Sequence, residues 1–569
     1  MKRKKSTTII VLLSLALVIM LTSLKGGLTS ISSVEELGQE LGAITLLPTI
    51  IVVVLAFVSN NVLFSLLIGF LSGVAIYTIS ITGNAINPVV FVNNVWQSVS
   101  NVLFDIDNIE IVILCLVIGG MIEIIKSSGG FEALAQKLTV RINTPRETGV
   151  TAGLLGILIF FDDYANALIT GPIMKPIVDR VKVSREKLAF YVDSTSAQVA
   201  GIALVSSWIG VEISAIQKGL DVVNSQLDSF SLFIHSIPFA FYCIFCISFV
   251  FVNALLDRDF GPMLKAEQRA RNGETISEES RKTIVDEAIT VQSKVKQRIF
   301  VSVGSIILLV IFAVMSFYIT GKHTAISIGV LNNNSPFNIE NVLLAISYAK
   351  TINLISLASL VSSIFALIFG CIFGLFTLKQ GILSWLKGVK SLVSTVLLLL
   401  TAWCLSDAIS NIGATYFAVE LVSANVPAVL VPLLIFVACC IISLTSGSFG
   451  CMFVVMPIAI PLATKMISMG INISDETYLS LCIGSVVAGS IFGDHCSPVT
   501  DCTILSSIGS GCTTIEHCIT QLPYSIVCLV ISMICGIILT SIGLDISLAI
   551  IFGIVSQVLI LLLVGKKPI

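Results

Sequence analysis

Five aspartates stand inside stretches otherwise apolar enough to cross a bilayer. Asp162 and Asp163 follow Ile157-Leu158-Ile159-Phe160-Phe161, Asp193 ends Phe190-Tyr191-Val192-Asp193, and Asp494 and Asp501 frame Gly493-Asp494-His495-Cys496-Ser497-Pro498-Val499-Thr500-Asp501. An ionisable group at membrane depth costs a few kcal/mol, so it persists where it faces a pathway or a bound partner. Neighbouring carboxylates in a low-dielectric site do not readily both ionise unless a cation lies beside them. Asp162 and Asp163 therefore have the chemistry of a site that trades a proton for a cation. Asp193 opens Asp193-Ser194-Thr195-Ser196, four oxygen-bearing side chains in a row. These are hard ligands suited to Na⁺ or Li⁺, although the run also reads as a plain helix break. Asp494 and Asp501 lie seven residues apart, close to two helical turns, with Pro498 between them. The expected Na⁺ ligands are Asp163, Asp193, Asp494 and Asp501; Asp162, Asn166, Ser194, Thr195, Ser448 and Thr500 complete the candidate ion or substrate site.

What is missing also carries information. No Lys or Arg falls within 188–216 or 478–510, so the polar segments favour a cation; an organic anion would rely on the N-termini of half-helices. His495, Cys496 and Cys502 lack the paired ligand spacing of a zinc site. No nucleophile with a positioned base is evident, and no cofactor is expected beyond the Na⁺ and H⁺ that would be cargo. Glu123 and Asp407 read as helix-end residues or a supporting pair, and Glu212 and His235 are expected near the outer surface.

The elements that must hold these groups are membrane helices. With 56% hydrophobic and 12% charged residues in 569, and a mean hydropathy of +1.01, a soluble fold would have more apolar surface than it could bury. The chain reads as an all-α polytopic membrane protein with no nucleic-acid partner. Most of its 15 cysteines sit in apolar runs and read as reduced packing residues. Lys2-Arg3-Lys4-Lys5 before the apolar run Ile9 to Leu24 reads as an uncleaved first helix with its basic end in the cytoplasm.

At about 20 residues per crossing, helices are expected near 8–24, 42–58, 62–82, 109–126 and 230–256, with interrupted segments at 148–178 and 188–216. The second half repeats the pattern at 299–320, 352–378, 389–410, 523–541 and 546–564, with interruptions at 428–468 and 478–510. The polar link Asp257 to Arg298 holds nine basic residues and is expected in the cytoplasm. Lys137, Arg141 and Arg146 precede 148–178 and Arg180, Lys182, Arg185 and Lys187 follow it, so that stretch must enter and leave on one side, as a re-entrant hairpin or a tight helix pair. Its punctuation is Asn166, Gly171 and Pro172; that of the second is Gly447, Gly450 and Pro457.

The halves also match locally. Glu123-x5-Gly129 recurs as Asp407-x5-Gly413 284 positions later, Pro172-x3-Pro176 as Pro457-x3-Pro461 at 285, and Val199 to Ser207 as Val499 to Ser507 at 300. Two inverted repeats follow, each of five transmembrane helices and one re-entrant hairpin, with extra terminal helices. The expected division is an anchoring helix in 1–40, repeats at 41–256 and 299–541, a cytoplasmic linker at 257–298 and a C-terminal helix at 542–569.

At Phe161-Asp162-Asp163-Tyr164, Val183 to Ala189, Asp193 to Ala197, Ser206-Ser207-Trp208, Gly493 to Asp501 and Ile504 to Ser507, the chain resembles the NhaC-type Na⁺/H⁺ antiporter family, over about Val112 to Tyr524. The resemblance implies a homodimer in the bacterial inner membrane, with both termini cytoplasmic and the five aspartates lining an ion path. Gln198 departs from it, standing where the family's small-residue run leads one to expect proline. Na⁺ (or Li⁺)/H⁺ exchange by alternating access is the expected function. A Na⁺- or H⁺-coupled carrier of an organic acid or amino acid, such as a malate/lactate exchanger, is the alternative; a channel fits a single-chain inverted repeat poorly.

Overall fold

The computed structural model describes residues 33–568 except 60, 83–86, 140–141, 284–293, 499 and, within 328–350, all but 329, 331, 332, 341 and 345. The expected first helix at 8–24 and its basic cluster lie outside the described residues. Among those described, the fold is all-helical, with one isolated antiparallel bridge between Asp259 and Lys566. Ten helices among the described residues are long and apolar enough to cross a membrane, and two bent helix pairs reach that length together. Outward-facing Ile307, Ile311, Ile364, Ile368 and Leu559 are about half exposed, as lipid-facing positions of spanning helices are. The chain is a multi-pass membrane protein.

Three helices long enough to span, the last of them α1 (Ile106–Ser127), precede the first hairpin among the described residues. Helix α2 (Pro145–Leu158) starts on a capping box, in which Thr144 Oγ1 accepts from the Glu147 amide and the Glu147 carboxylate accepts from the Thr144 amide. Its 14 residues reach about 21 Å, short of the ~30 Å hydrocarbon core. The chain returns as α3 (Asp163–Val181), capped by Asp162. Arg180 Nη2 donates to the Ile142 carbonyl at 2.6 Å, so both feet of the hairpin stand on one side, as the flanking basic residues require.

Helix α4 (Arg185–Asp193) lies parallel to α2, since a methyl group at Gly149 would touch Tyr191 and one at Gly156 would touch Thr195. The helix breaks at Ser194, makes a short turn at Ala197–Ala200, runs irregularly to Trp208 and resumes as α5 (Ile209–Val222). After α6 (Phe241–Leu256), the polar link includes α7 (Gly261–Arg271). In place of a helix ending at 378 and another starting at 389, Leu378–Ser391 forms its own helix α8, and α9 (Val393–Asn411) follows. The lysines of α8 alternate with Ile382, Leu383 and Leu386, an amphipathic pattern that a spanning helix does not have.

The second hairpin is α10 (Val431–Met469), which folds back at Gly447, where φ 67° and ψ 170° suit only glycine. Twelve residues of straight helix would cover about 18 Å, yet Cys451 Sγ lies 3.5 Å from the Cys439 carbonyl. The first arm runs parallel to α11 (Asp475–Cys496): Tyr478 Oη donates to the Ala428 carbonyl at 2.7 Å, and Ser443 Oγ to that of Gly489 at 3.1 Å. Helix α11 breaks at Ser497 and continues as α12 (Asp501–Ser510), before α13 (Thr514–Ile531) and, at the C-terminal end, α14 (Ile546–Leu563). Each hairpin thus precedes a broken helix parallel to its first arm.

The two broken helices meet antiparallel. Arg185, at the start of α4, donates to the Ser510 carbonyl at the end of α12 (3.2 Å), while Asp193 at its far end lies 3.4 Å from Thr503 and from Ser506. Helices α3 and α12 cross at Gly171 and Gly509, where a Cβ on Gly171 would lie 2.6 Å from the Gly509 carbonyl carbon. Only glycine permits that approach.

Candidate ion-binding site

The tips of the two hairpins and the break after α11 enclose a cavity of about 410 Å³, lined by Asp162, Asp163, Ser448, Asp494, Thr500 and Asp501 among others. None of the described residues lining it is Lys, Arg or His. Asp162 accepts from the Ala165 amide at 2.6 Å as the cap of α3. Asp163 is 5% exposed and accepts from the Tyr164 amide and from Cys502 Sγ, each at 3.0 Å. Ser448 donates to Asp494 Oδ2 at 2.5 Å. Tyr164 Oη donates to Asp501 Oδ2 at 3.3 Å, and Thr500 Oγ1 closes the break by donating to the Asp494 carbonyl at 2.9 Å. The Trp208 and Phe449 rings stack edge-on at 4.8 Å, and the Ser207 amide bonds the Phe161 carbonyl at 2.9 Å, so the irregular stretch before α5 touches both hairpins.

Asp193, Ser194, Thr195 and Asn166 are buried behind this cavity and do not line it. Asp193 Oδ2 accepts from Gln521 Nε2 at 2.7 Å and lies 3.0 Å from His517 Nε2; Ser506 supplies a further donor, and Thr503 Oγ1 lies 3.4 Å away. Thr503 also donates to the Asp494 carbonyl at 2.7 Å, so a single side chain separates Asp193 from the cavity wall. Asn166 Nδ2 donates to the Thr195 carbonyl at 2.6 Å, Thr195 Oγ1 to that of Tyr191 at 2.8 Å, and Ser194 Oγ bonds His495 Nε2 at 2.8 Å. Chain position offered no signal for His517 and Gln521, more than 300 residues from Asp193. Tyr164 and Cys502, by contrast, directly follow two of the aspartates, and Trp208 ends the Ser206-Ser207-Trp208 motif.

The remaining acidic residues separate. Glu123 pairs with Lys387 at 2.6 Å, and Asp407 accepts from Asn411 at 3.2 Å near the end of α9. His235 is exposed and pairs with Glu476 at 2.9 Å. Glu212, expected near the outer surface, is instead fully buried, because the break before α5 turns its first helical turn into the core.

Paired hairpins and broken helices around an acidic cavity, in a chain with ten membrane-capable helices among its described residues, define a multi-pass membrane transporter. The chain belongs to the Na⁺/H⁺ antiporter family, whose model matches residues 199–542. It is 31% identical over 489 residues to an uncharacterized protein of Haemophilus influenzae, covering 84% of this chain and 88% of that one. Its fold resembles that of the Alcanivorax borkumensis YdaH transporter (TM-score 0.51, 13% identity, 80% of this chain and 90% of that one). It likewise resembles Neisseria gonorrhoeae MtrF, described with a class of antimetabolite efflux pumps (TM-score 0.52, 13% identity, 80% and 85%).

Proposed function

We propose that this protein exchanges Na⁺ or Li⁺ for H⁺ across the bacterial inner membrane by alternating access. The observation that carries the reading is four aspartates, Asp162, Asp163, Asp494 and Asp501, around one cavity with no basic side chain in its wall. Such a cluster is stable only when protons or a cation neutralise it. One cation or the protons occupy it at a time, and each loaded form can cross. Serine and threonine hydroxyls beside the carboxylates supply further hard oxygen ligands for a small cation.

Residues 41–256 and 299–541 act as two inverted copies, each supplying one hairpin and one broken helix; the antiparallel meeting of α4 and α12 supports this reading. The link 257–298 and both termini then lie in the cytoplasm, and a homodimer is the working assembly. With unequal stoichiometry, each net charge moved is worth about 2.3 kcal/mol per 100 mV, which can drive Na⁺ outward. The test is a pH gradient across proteoliposomes: Na⁺ or Li⁺ should dissipate it with wild type and not with Asp163→Asn or Asp494→Asn. A wild-type protein indifferent to both cations overturns the reading.

A coupled carrier of an organic acid or amino acid is the second reading. A cavity of about 410 Å³ exceeds what a bare cation fills, and the N-termini of α3 and α12, which meet there, would face a carboxylate. Substrate-stimulated uptake in the same vesicles distinguishes it.

A further inference from the structure

Two buried carboxylates near the helix breaks have opposite surroundings. Asp193 has Gln521, His517 and Ser506 around it as side-chain hydrogen-bond partners, whereas Glu212, in the first turn of α5, has none. Glu212 is 0% exposed, and both of its carboxylate oxygens are without a hydrogen-bond partner. From the short turn before the irregular stretch, Gly201 faces it closely: a Cβ there would lie 3.5 Å from Glu212 Oε1 and 2.5 Å from Ile491 Cδ1 of α11. On that turn Gln198 is equally buried, and both of its amide atoms are also unpartnered. Helix α6 presents the Cys243 thiol, and no basic side chain among the described residues faces Glu212.

Removing an ionised carboxylate from water costs several kcal/mol, recovered only through a counter-charge or hydrogen bonds. Glu212 has neither. As a carboxylic acid it carries no charge and gains a donor of its own. It is also connected to the cavity: the Glu212 amide bonds the Trp208 carbonyl at 3.1 Å, and the Trp208 ring lines the cavity against Phe449. A movement of the hairpin tips that shifts Trp208 shifts the first turn of α5 with it.

We infer that Glu212 is a second proton site, which holds its proton in this conformation and releases it when the stretch Gly201–Trp208 rearranges, so that each cycle moves one proton that never occupies the Asp163–Asp494 cavity. The transport consequence rests on the exchange reading; the proton on Glu212 does not. Two measurements on the full-length protein test them separately.

Infrared spectra of wild type minus Glu212→Gln should show a protonated-carboxyl C=O band that shifts in D₂O. Its absence overturns the inference. Should the variant not fold, wild type carrying ¹³C at its glutamate side-chain carboxyls provides the same readout, and no isotope-shifted acid band overturns it equally. In proteoliposomes, reversal potentials should give a proton-to-sodium ratio one lower in Glu212→Gln with Na⁺ movement retained. An unchanged ratio overturns the transport role. Wild-type vesicles with no Na⁺-dependent proton flux would overturn the exchange reading alone, leaving the infrared result to decide the proton on Glu212.

Discussion

Ser448 donates its hydroxyl hydrogen to Asp494 at 2.5 Å, joining the tip of the second hairpin to the last turns of α11. The carboxylate is thus held by a hairpin tip that lines the cavity. A hydrogen bond to a charged group contributes about 1.5–3 kcal/mol. Ser448→Ala should therefore weaken the apparent Na⁺ affinity roughly tenfold to hundredfold while leaving the maximal rate less affected; Asp494→Asn should abolish exchange. Na⁺ titrations of pH-gradient dissipation in proteoliposomes check both.

Gly447 occupies a backbone conformation essentially closed to other residues, with φ 67° and ψ 170°. A Cβ there would meet nothing within 4 Å, so the penalty for Gly447→Ala is conformational, about 1–3 kcal/mol. The variant should melt at lower temperature in detergent and transport more slowly. Unchanged melting would mean that the turn is not held as described.

Lys187, 2% exposed, pairs with Asp259 at 2.8 Å and lies 3.7 Å from Glu267, tying α4 to the polar link. Removing one member of a buried pair leaves an uncompensated charge and costs about 3–5 kcal/mol. The exposed pair His235–Glu476 is screened by water and contributes at most about 1 kcal/mol. Thermal melting should therefore fall sharply for Lys187→Met and hardly at all for Glu476→Gln.

Glu147, exposed at the foot of the first hairpin, has its carboxyl held below the usual range by the Asn143 and Thr144 amides that donate to it. A lowered carboxyl stabilises the fold above its unfolded-state value, and that contribution disappears as pH falls through the folded value. The melting difference between wild type and Glu147→Gln should accordingly be present at neutral pH and vanish in acid.

Asp162, Asp163, Asp494 and Asp501, which line one cavity, were legible as candidates because a charge inside an apolar run is costly unless it meets a pathway or a partner. The hairpin at 148–178 was legible from basic residues on both flanks. Helix α8 was not, since its apolar positions merge with those of its neighbours in a window sized for a spanning helix. The place of Glu212 was hidden too: whether a glutamate in the first turn of a helix meets water or core depends on the turn that precedes it.

Hydrophobicity and charge placement act locally, so the chain by itself determined a helical membrane protein, where its helices break and which acidic groups lie in the breaks. Which of those groups share a cavity was decided only by tertiary structure, because the antiparallel crossing of α4 and α12 brings Thr503, and the packing of α13 brings His517, against Asp193 from more than 300 residues away. The same crossing leaves Asp163 and Asp494 facing the open space between the hairpin tips. Donor supply at each carboxylate follows from that packing, and no pattern along the chain encodes it.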